Sequence, residues 1–392
     1  MIFSAGKTNS RVWSWAFYDF ANTIYSAVVV TVYLPLYLNS LSGRNTPLGL
    51  AATLSMILSG FLVPPLGTLT DRTGKTKLYL FLSTALCVLA TASLSFISTT
   101  LGLLTAFITA NILYHSSLVF YNSLLPVTAP PESQGFVSGL GTALGYLGVL
   151  FALPIAHFVD LHWGRQWVFL LAGILFFLFA LPLFAWVPER AASSSTRISL
   201  KETVQTLAKN HPMLYFLLGN FFLLDVLNAL ILWLSVFLSK TFHLPQAKLI
   251  ETILALNFSA FIFGIIAGKM TDRLGYKTVL ISAGGALAVL LTAAASSHSF
   301  FWVRIFILLF GGYAAAGIWT AGRKGVVELS PPGRVGEFFG LYGFTSKVSA
   351  IGSTLLSLFA DIFDFRIAVA SQLVSVALGL FFLSRIQRNK TQ

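Results

Sequence analysis

The chain has 392 residues, of which 56% are hydrophobic and only 10% are charged. Soluble domains carry roughly 25% charged residues, so this composition excludes a soluble globular protein. The 25 Lys and Arg residues outnumber the 13 Asp and Glu residues, but they lie in small clusters between apolar stretches and form no basic face. The net charge of +12 therefore indicates membrane topology, and nucleic-acid binding is excluded.

Twelve apolar stretches are long enough to cross the roughly 30 Å hydrocarbon core of a bilayer, which takes about 20 helical residues. They are continuous runs without two-residue alternation, which favours helices over a barrel. The predicted spans cover residues 13–38, 48–70, 78–97, 102–126, 136–158, 166–187, 213–239, 249–270, 279–297, 301–322, 337–360 and 366–385. The sequence thus predicts an all-α, multi-pass integral membrane protein of the cell (inner or plasma) membrane. The aromatic tract Phe176–Phe179 in span 6 is expected to face lipid.

Positive charge is divided unequally between the two sets of loops. With twelve spans both termini share one side, and the loops on that side carry 18 Lys and Arg residues against 5 on the other. Cytoplasmic loops carry the excess of Lys and Arg. Both termini are therefore predicted to be cytoplasmic.

The chain is predicted to contain two pseudo-symmetric six-helix bundles. One long connection, residues 188–212, separates residues 1–187 from residues 213–392, and its stretch Leu200–Lys209 has the pattern of an amphipathic cytoplasmic helix. Two motifs recur between the halves at a constant offset of 201 residues. The offset joins Gly67-Thr68-Leu69-Thr70-Asp71-Arg72-Thr73-Gly74 to Gly268-Lys269-Met270-Thr271-Asp272-Arg273-Leu274-Gly275, and Pro130-Pro131 to Pro331-Pro332. Two repeats in one register indicate duplicated halves, with a binding site at their interface.

The repeated hairpin resembles the motif Gly-x-x-x-Asp-Arg-x-Gly-[Lys/Arg] of the major facilitator superfamily, which is matched by Gly67, Asp71, Arg72, Gly74 and Lys75. Further runs resemble the vacuole-effluxer-like "unknown major facilitator" family, namely Tyr18-Asp19-Phe20-Ala21-Asn22, residues 119–126 and residues 338–347. The resemblance covers most of the chain. It implies the major facilitator fold, a substrate path lined by spans 1, 4, 7 and 10, and, from fungal relatives, amino acid export. The chain departs from the family in span 7, with Asp225-Val226-Leu227-Asn228, and in span 11, with Gly352-Ser353.

The two repeated hairpins are predicted to act as latches. Asp71 is expected to face the N-terminal end of span 11, and Asp272 that of span 5, where each carboxylate meets unsatisfied backbone N–H groups. Both latches would close the cytoplasmic side and favour the outward-open state. The residues assigned to gating are Gly67, Asp71, Arg72, Gly74, Gly268, Asp272, Arg273 and Gly275.

Polar side chains inside the spans are candidates for substrate or ion binding, because a charge at a helix centre costs about 2.5–3.5 kcal/mol. The candidates are Asp225, Lys347, Asp19, Asn22, His115, Asn228 and Arg304. Asp225 and Lys347 lie nearest the midplane, and the alternative for them is a structural salt bridge. For Asp19 the alternative is a carboxylate stabilised by the positive end of span 1. His115 could instead be a core histidine, and Arg304 could extend to the outer headgroups.

These features favour a secondary active transporter that works by alternating access. The expected substrate is a small organic solute, with an amino acid as the candidate that the resemblance implies, exported at the expense of an ion or proton gradient. The alternatives are efflux of a lipid-like or drug-like amphiphile and, in a different class, an intramembrane lipid-modifying enzyme. An enzyme is disfavoured because His115 is the single histidine at depth, so no catalytic cluster is expected.

The expected partners are the lipid bilayer, a small-molecule substrate and a coupling proton or cation. No Gly-x-x-x-x-Gly-Lys-[Ser/Thr] motif occurs, which disfavours an ATP-driven pump. The one cysteine, Cys87, lies inside an apolar run, so no metal site is expected. No cofactor is expected either, and the protein is predicted to function as a monomer.

Overall fold

In a computed structural model, the described residues are 6–35, 37–38, 46–192, 200–349, 356, 358–360 and 362–386. Their regular secondary structure is helical. The α-helices are α1 (Gly6–Ile24), α2 (Thr46–Thr73), α3 (Thr76–Ser93), α4 (Thr100–Ser123), α5 (Leu125–Thr128), α6 (Gln134–Trp163), α7 (Trp167–Trp186), α8 (Leu200–Lys209), α9 (His211–Phe242), α10 (Gln246–Leu274), α11 (Tyr276–Ser296), α12 (Phe300–Phe306), α13 (Gly312–Leu329), α14 (Val335–Val348) and α15 (Phe365–Ser384). A 3₁₀ turn, Pro131–Ser133, and two π-helical segments, Tyr25–Tyr33 and Ile307–Gly311, complete the order.

Within the described residues, ten helical stretches are long and apolar enough to cross a membrane. They coincide with ten of the twelve predicted spans. The first predicted span is not among them, since α1 carries many polar residues. The eleventh is not among them either, and residues 350–355 of that span, including Gly352-Ser353, lie outside the described residues. The total of twelve spans therefore stays a prediction.

Several helices begin at residues whose side chains cap the first turn. The Thr99 side chain accepts a hydrogen bond from the Gly102 N–H at the start of α4. Asn210 accepts one from Met213 at the start of α9, and Asp364 accepts one from Ile367 at the start of α15. These caps satisfy N–H groups that have no partner inside the helix.

The chain divides into two compact units. The first unit comprises Met1–Pro131, Leu144–Ile198 and Pro331–Phe344, and the second comprises Glu132–Ala143, Ser199–Ser330 and Thr345–Gln392. Helices α6 and α14 therefore each contribute one end to one unit and the remainder to the other. The predicted division at residues 188–212 stays a prediction, and the helix expected there is α8.

The first unit has an aromatic core around Tyr121. Its ring stacks on Trp15 with the centroids 4.3 Å apart and on Tyr18 with the centroids 4.8 Å apart. Phe176 joins this core and is fully buried against Tyr18. The expectation that residues 176–179 face lipid is therefore wrong for Phe176, and only Leu178 of this tract is exposed.

In the second unit, α9 and α15 run antiparallel at close range. A Cβ atom on Gly219 would lie 3.1 Å from the Gly379 carbonyl oxygen. Further along, the side chains of Asp225 and Ser375 are in contact, and Ala229 packs in a buried cluster with Ala368. As the numbers rise along α9 they fall along α15, which fixes the register of the two helices.

Candidate functional site

Asp71, at the end of α2 in the first unit, binds the start of α14. It is 1% exposed, and its carboxylate accepts hydrogen bonds from the N–H groups of Gly336 (3.0 Å) and Glu337 (2.8 Å). The first N–H groups of a helix have no intrahelical partner and carry partial positive charge. The contact predicted for Asp71 is thus present.

A cation completes this first latch, which we define as Asp71, Arg190, Gly336 and Glu337. The Arg190 Nη1 atom lies 2.6 Å from Asp71 Oδ1, and the arginine is buried. Sequence reasoning counted Arg190 as a loop charge and missed this role. Its position in the sequence could have indicated this role, because Arg190 comes shortly after Trp186, where α7 ends.

Glycines allow the close approach at the first latch. A Cβ atom on Gly67 would overlap the Gly336 carbonyl, and one on Gly336 would lie 2.7 Å from the Gly67 carbonyl oxygen. Gly74 has a φ of +63°, and a Cβ atom added to it would lie 2.5 Å from the backbone nitrogen of Ala192. The glycines of the hairpin motif are therefore required for backbone contact and for a left-handed turn.

The second unit contains the equivalent arrangement around Asp272. Its carboxylate accepts hydrogen bonds from the N–H groups of Gly135 (2.7 Å) and Phe136 (2.6 Å) at the start of α6. The Lys324 ammonium lies 2.7 Å from Asp272 Oδ1. We define Asp272, Lys324, Gly135 and Phe136 as the second latch. Gly268 allows the same close approach of two helices as Gly67 does, since a Cβ atom added to Gly268 would lie 2.9 Å from the Gly135 carbonyl oxygen.

The two latches take their cations from different places. Arg190 follows α7, whereas Lys324 lies inside α13 and is 5% exposed. Lys324 and its neighbour Arg323 were both counted as loop charges beyond span 10, but α13 continues to Leu329 and buries both. Arg72 and Arg273 of the hairpin motifs are exposed, and Gly275 has a φ of +83°. The gating roles of all eight residues assigned from the sequence stay predictions.

Asp19 and Asn22 lie together in the first unit. Both are buried, and Asn22 Nδ2 donates to Asp19 Oδ1 at 3.0 Å. Because α1 begins at Gly6, Asp19 lies well beyond the first turn of the helix. The helix dipole acts within the first turn, so the alternative of a helix-start carboxylate is wrong. His115 lies on α4 with its ring edge-on to Tyr114, the centroids being 5.0 Å apart.

The remaining candidates lie in the second unit. Asp225 Oδ2 accepts a hydrogen bond from the Ser375 hydroxyl at 3.2 Å, and Asn228 Nδ2 donates to Ser349 Oγ at 3.1 Å. Lys347 lies in the last turn of α14, and its pairing with Asp225 stays a prediction. Arg304 forms an ion pair with Glu251 at 2.6 Å, a partner that sequence reasoning missed.

Two buried amides were not predicted. Asn220, which matches Asp19 at the offset of the repeated motifs, is fully buried, and neither of its amide atoms has a hydrogen-bond partner in the described part of the chain. Gln372 is 4% exposed, and its Oε1 atom likewise has no partner there. The amides predicted from the sequence, Asn22 and Asn228, each lie three residues after an aspartate, and neither Asn220 nor Gln372 has this pattern.

The described part of the chain thus combines ten helical stretches that are long and apolar enough to cross a membrane with two equivalent carboxylate contacts, as in a membrane transporter of duplicated halves. The chain belongs to the major facilitator superfamily, since the family model described as Major Facilitator Superfamily matches residues 13–266 and 246–392. This membership supports the prediction that the protein is not an enzyme.

Individual proteins agree with this assignment. The chain is 26% identical to the uncharacterized MFS-type transporter YxiO of Bacillus subtilis, with 95% of this chain and 93% of the relative covered. It is 23% identical to autophagy-related protein 22 of Gibberella zeae over 57% of this chain and 40% of that protein. The fold is similar to that of the human organic anion transporter MFSD10, with a TM-score of 0.80, 13% identity, and 97% and 100% of the two chains covered.

Proposed function

We propose that the protein is a secondary active transporter that moves a small organic solute by alternating access, with an amino acid as the leading candidate. It is proposed to work as a monomer in the cell membrane, with twelve spans and both termini in the cytoplasm. Transport is proposed to be export, coupled to an ion or proton gradient. Substrate binding is assigned to the candidates around Asp225 and Asp19.

The observation that carries this proposal is the pair of latches. In each unit a carboxylate, fully buried in Asp71 and 12% exposed in Asp272, binds two N–H groups of a helix start and one cation. Hydrogen bonds to a charged group are strong when all of them are formed. A partly formed set is costly, because a carboxylate shielded from water then lacks both solvent and protein partners. A latch of this kind has two stable conditions, closed and fully released, which suits a gate.

An amino acid is favoured by the charges inside the second unit. Asp225 lies near the middle of α9 and Lys347 in α14, and an acid and a base in one bundle suit the ammonium and carboxylate of a zwitterion. The alternative substrate, a lipid-like or drug-like amphiphile, is favoured by an apolar cavity in the same unit. Residues lining this cavity include Leu230, Trp233 and Leu256.

Counterflow in proteoliposomes tests the proposal. Vesicles loaded with one unlabelled amino acid should accumulate the same labelled amino acid only when they contain the protein. A thermal-shift screen of amino acids and lysolipids chooses the solute, since a ligand at 100 times its dissociation constant stabilises by about 2.7 kcal/mol. Counterflow of an amphiphile and of no amino acid would establish the alternative, and counterflow of neither would contradict the proposal.

A further inference from the structure

Five oxygen-bearing side chains lie at one level of the second unit. Asp225 and Asn228 come from α9, Gln372 and Ser375 come from α15, and Ser349 follows α14. The Ser375 hydroxyl donates to Asp225, and Asn228 donates to Ser349. We call these five residues the midplane cluster.

The cluster lies at the centre of two membrane-crossing helices. Asp225 lies near the middle of α9, which starts at His211, and Ser375 lies near the middle of α15, which starts at Phe365. With a rise of about 1.5 Å per residue, their depths from those helix starts are about 21 Å and about 15 Å. Water is scarce at this depth, so polar atoms there require partners.

The helix register brings Gln372 to the same place. It lies one turn before Ser375, and residues three apart share a helix face. The contacts of Gly219 with Gly379 and of Asp225 with Ser375 put Gln372 opposite Asn228. Gln372 is only 4% exposed, and its Oε1 atom accepts no hydrogen bond within the described residues. A buried acceptor without a partner calls for a ligand that takes an electron pair.

The donor set identifies the chemistry of that ligand. Carboxylate, hydroxyl and amide oxygens are hard ligands that suit alkali and alkaline-earth cations, whereas no thiol or imidazole belongs to the five residues of the cluster. The one carboxylate supplies a single negative charge, so a monovalent cation is neutralised and a divalent cation is not. We propose that the midplane cluster binds Na⁺, and that Na⁺ is the coupling ion of the transporter proposed above, on which this second part rests; Na⁺ and the substrate ammonium then occupy Asp225 in alternation.

Thermal unfolding of the purified full chain tests cation binding. At constant ionic strength, NaCl should raise the Tm relative to choline chloride, with saturation as Na⁺ increases. Gln372→Met removes one oxygen at nearly constant volume and should raise the half-saturating Na⁺ concentration about tenfold, and Asp225→Asn should abolish the shift. Ser371→Ala is the matched control, because Ser371 adjoins Gln372 but donates to the Ala368 carbonyl within its own helix.

The outcomes separate the two proposals. A wild-type Tm that is equal in NaCl and choline chloride overturns the site, as does an unchanged Na⁺ response in Gln372→Met. A Tm that follows pH and ignores Na⁺ assigns the cluster to a proton and also overturns it. Counterflow that proceeds equally without Na⁺ removes the coupling role while the transporter proposal stands. A Na⁺-dependent Tm without counterflow of any solute supports the site and contradicts the transporter proposal.

Discussion

Asp71→Asn is the sharpest test of the latches. The substitution keeps the size of the side chain and one acceptor oxygen but removes the charge. Hydrogen bonds to charged groups contribute about 1.5–3 kcal/mol each, and Asp71 accepts two from the start of α14. Breaking a buried ion pair costs about 3–5 kcal/mol, but Arg190 can turn toward water once it is released. We expect the closed latch to lose about 3 kcal/mol, which shifts the equilibrium toward the inward-open state by roughly 150-fold.

Cysteine accessibility measures this shift. Thr70 is buried beside Gly336, so Thr70→Cys becomes reactive only when α14 leaves α2. The native Cys87 is buried and is replaced by serine to give a clean background. Labelling should accelerate at least tenfold in Asp71→Asn and remain unchanged in Arg72→Gln, whose side chain is exposed in the same motif. Equal labelling rates in Asp71→Asn and the parent, at equal Tm, would refute the reasoning.

Three further changes have defined outcomes. Gly67→Ala should block the first latch and give fast Thr70→Cys labelling, because the new Cβ overlaps the Gly336 carbonyl; Gly285→Ala, where no atom lies within 4 Å of the new Cβ, should behave as wild type. Lys324→Met should destabilise the protein by about 1.5–3 kcal/mol in denaturant unfolding, because it removes the cation from Asp272, which is partly exposed and keeps its two N–H donors; an unchanged midpoint would contradict the second latch. Asp225→Asn combined with Lys347→Met should be stable yet inactive in counterflow, whereas recovered transport would make these residues a structural pair.

The latch contacts could be predicted because each of the two partners has a short, recognisable sequence pattern. A repeated hairpin with an aspartate at its tip, and a helix start with free N–H groups, are both visible as sequence patterns. Their cations were missed because a loop count treats all positive residues alike. Whether Arg190 or Lys324 reaches a carboxylate depends on where α7 and α13 end, and hydropathy determines such ends only to a few residues.

The errors in the interior have a related cause. Lipid tails and protein cores are equally apolar, so hydropathy cannot tell the buried Phe176 from the exposed Leu178 two residues later. The start of α1 was predicted too late because its first turns are polar, and Asp19 therefore seemed close to a helix end. Gln372 could not be found at all from composition, since its importance depends on the register between α9 and α15.

The position of Arg190 makes chain length, as well as residue identity, a determinant of gating. Glu189 accepts a hydrogen bond from the Lys77 N–H at the start of α3 at 2.9 Å, and Ala192 lies against Gly74, so the residues on both sides of Arg190 also contact α3 and the hairpin. One residue inserted between Trp186 and Glu189 would shift every one of these contacts while leaving the composition of the latch intact. Homologues that differ in length at this point therefore require a different counter-ion for Asp71, or a gate that closes without one.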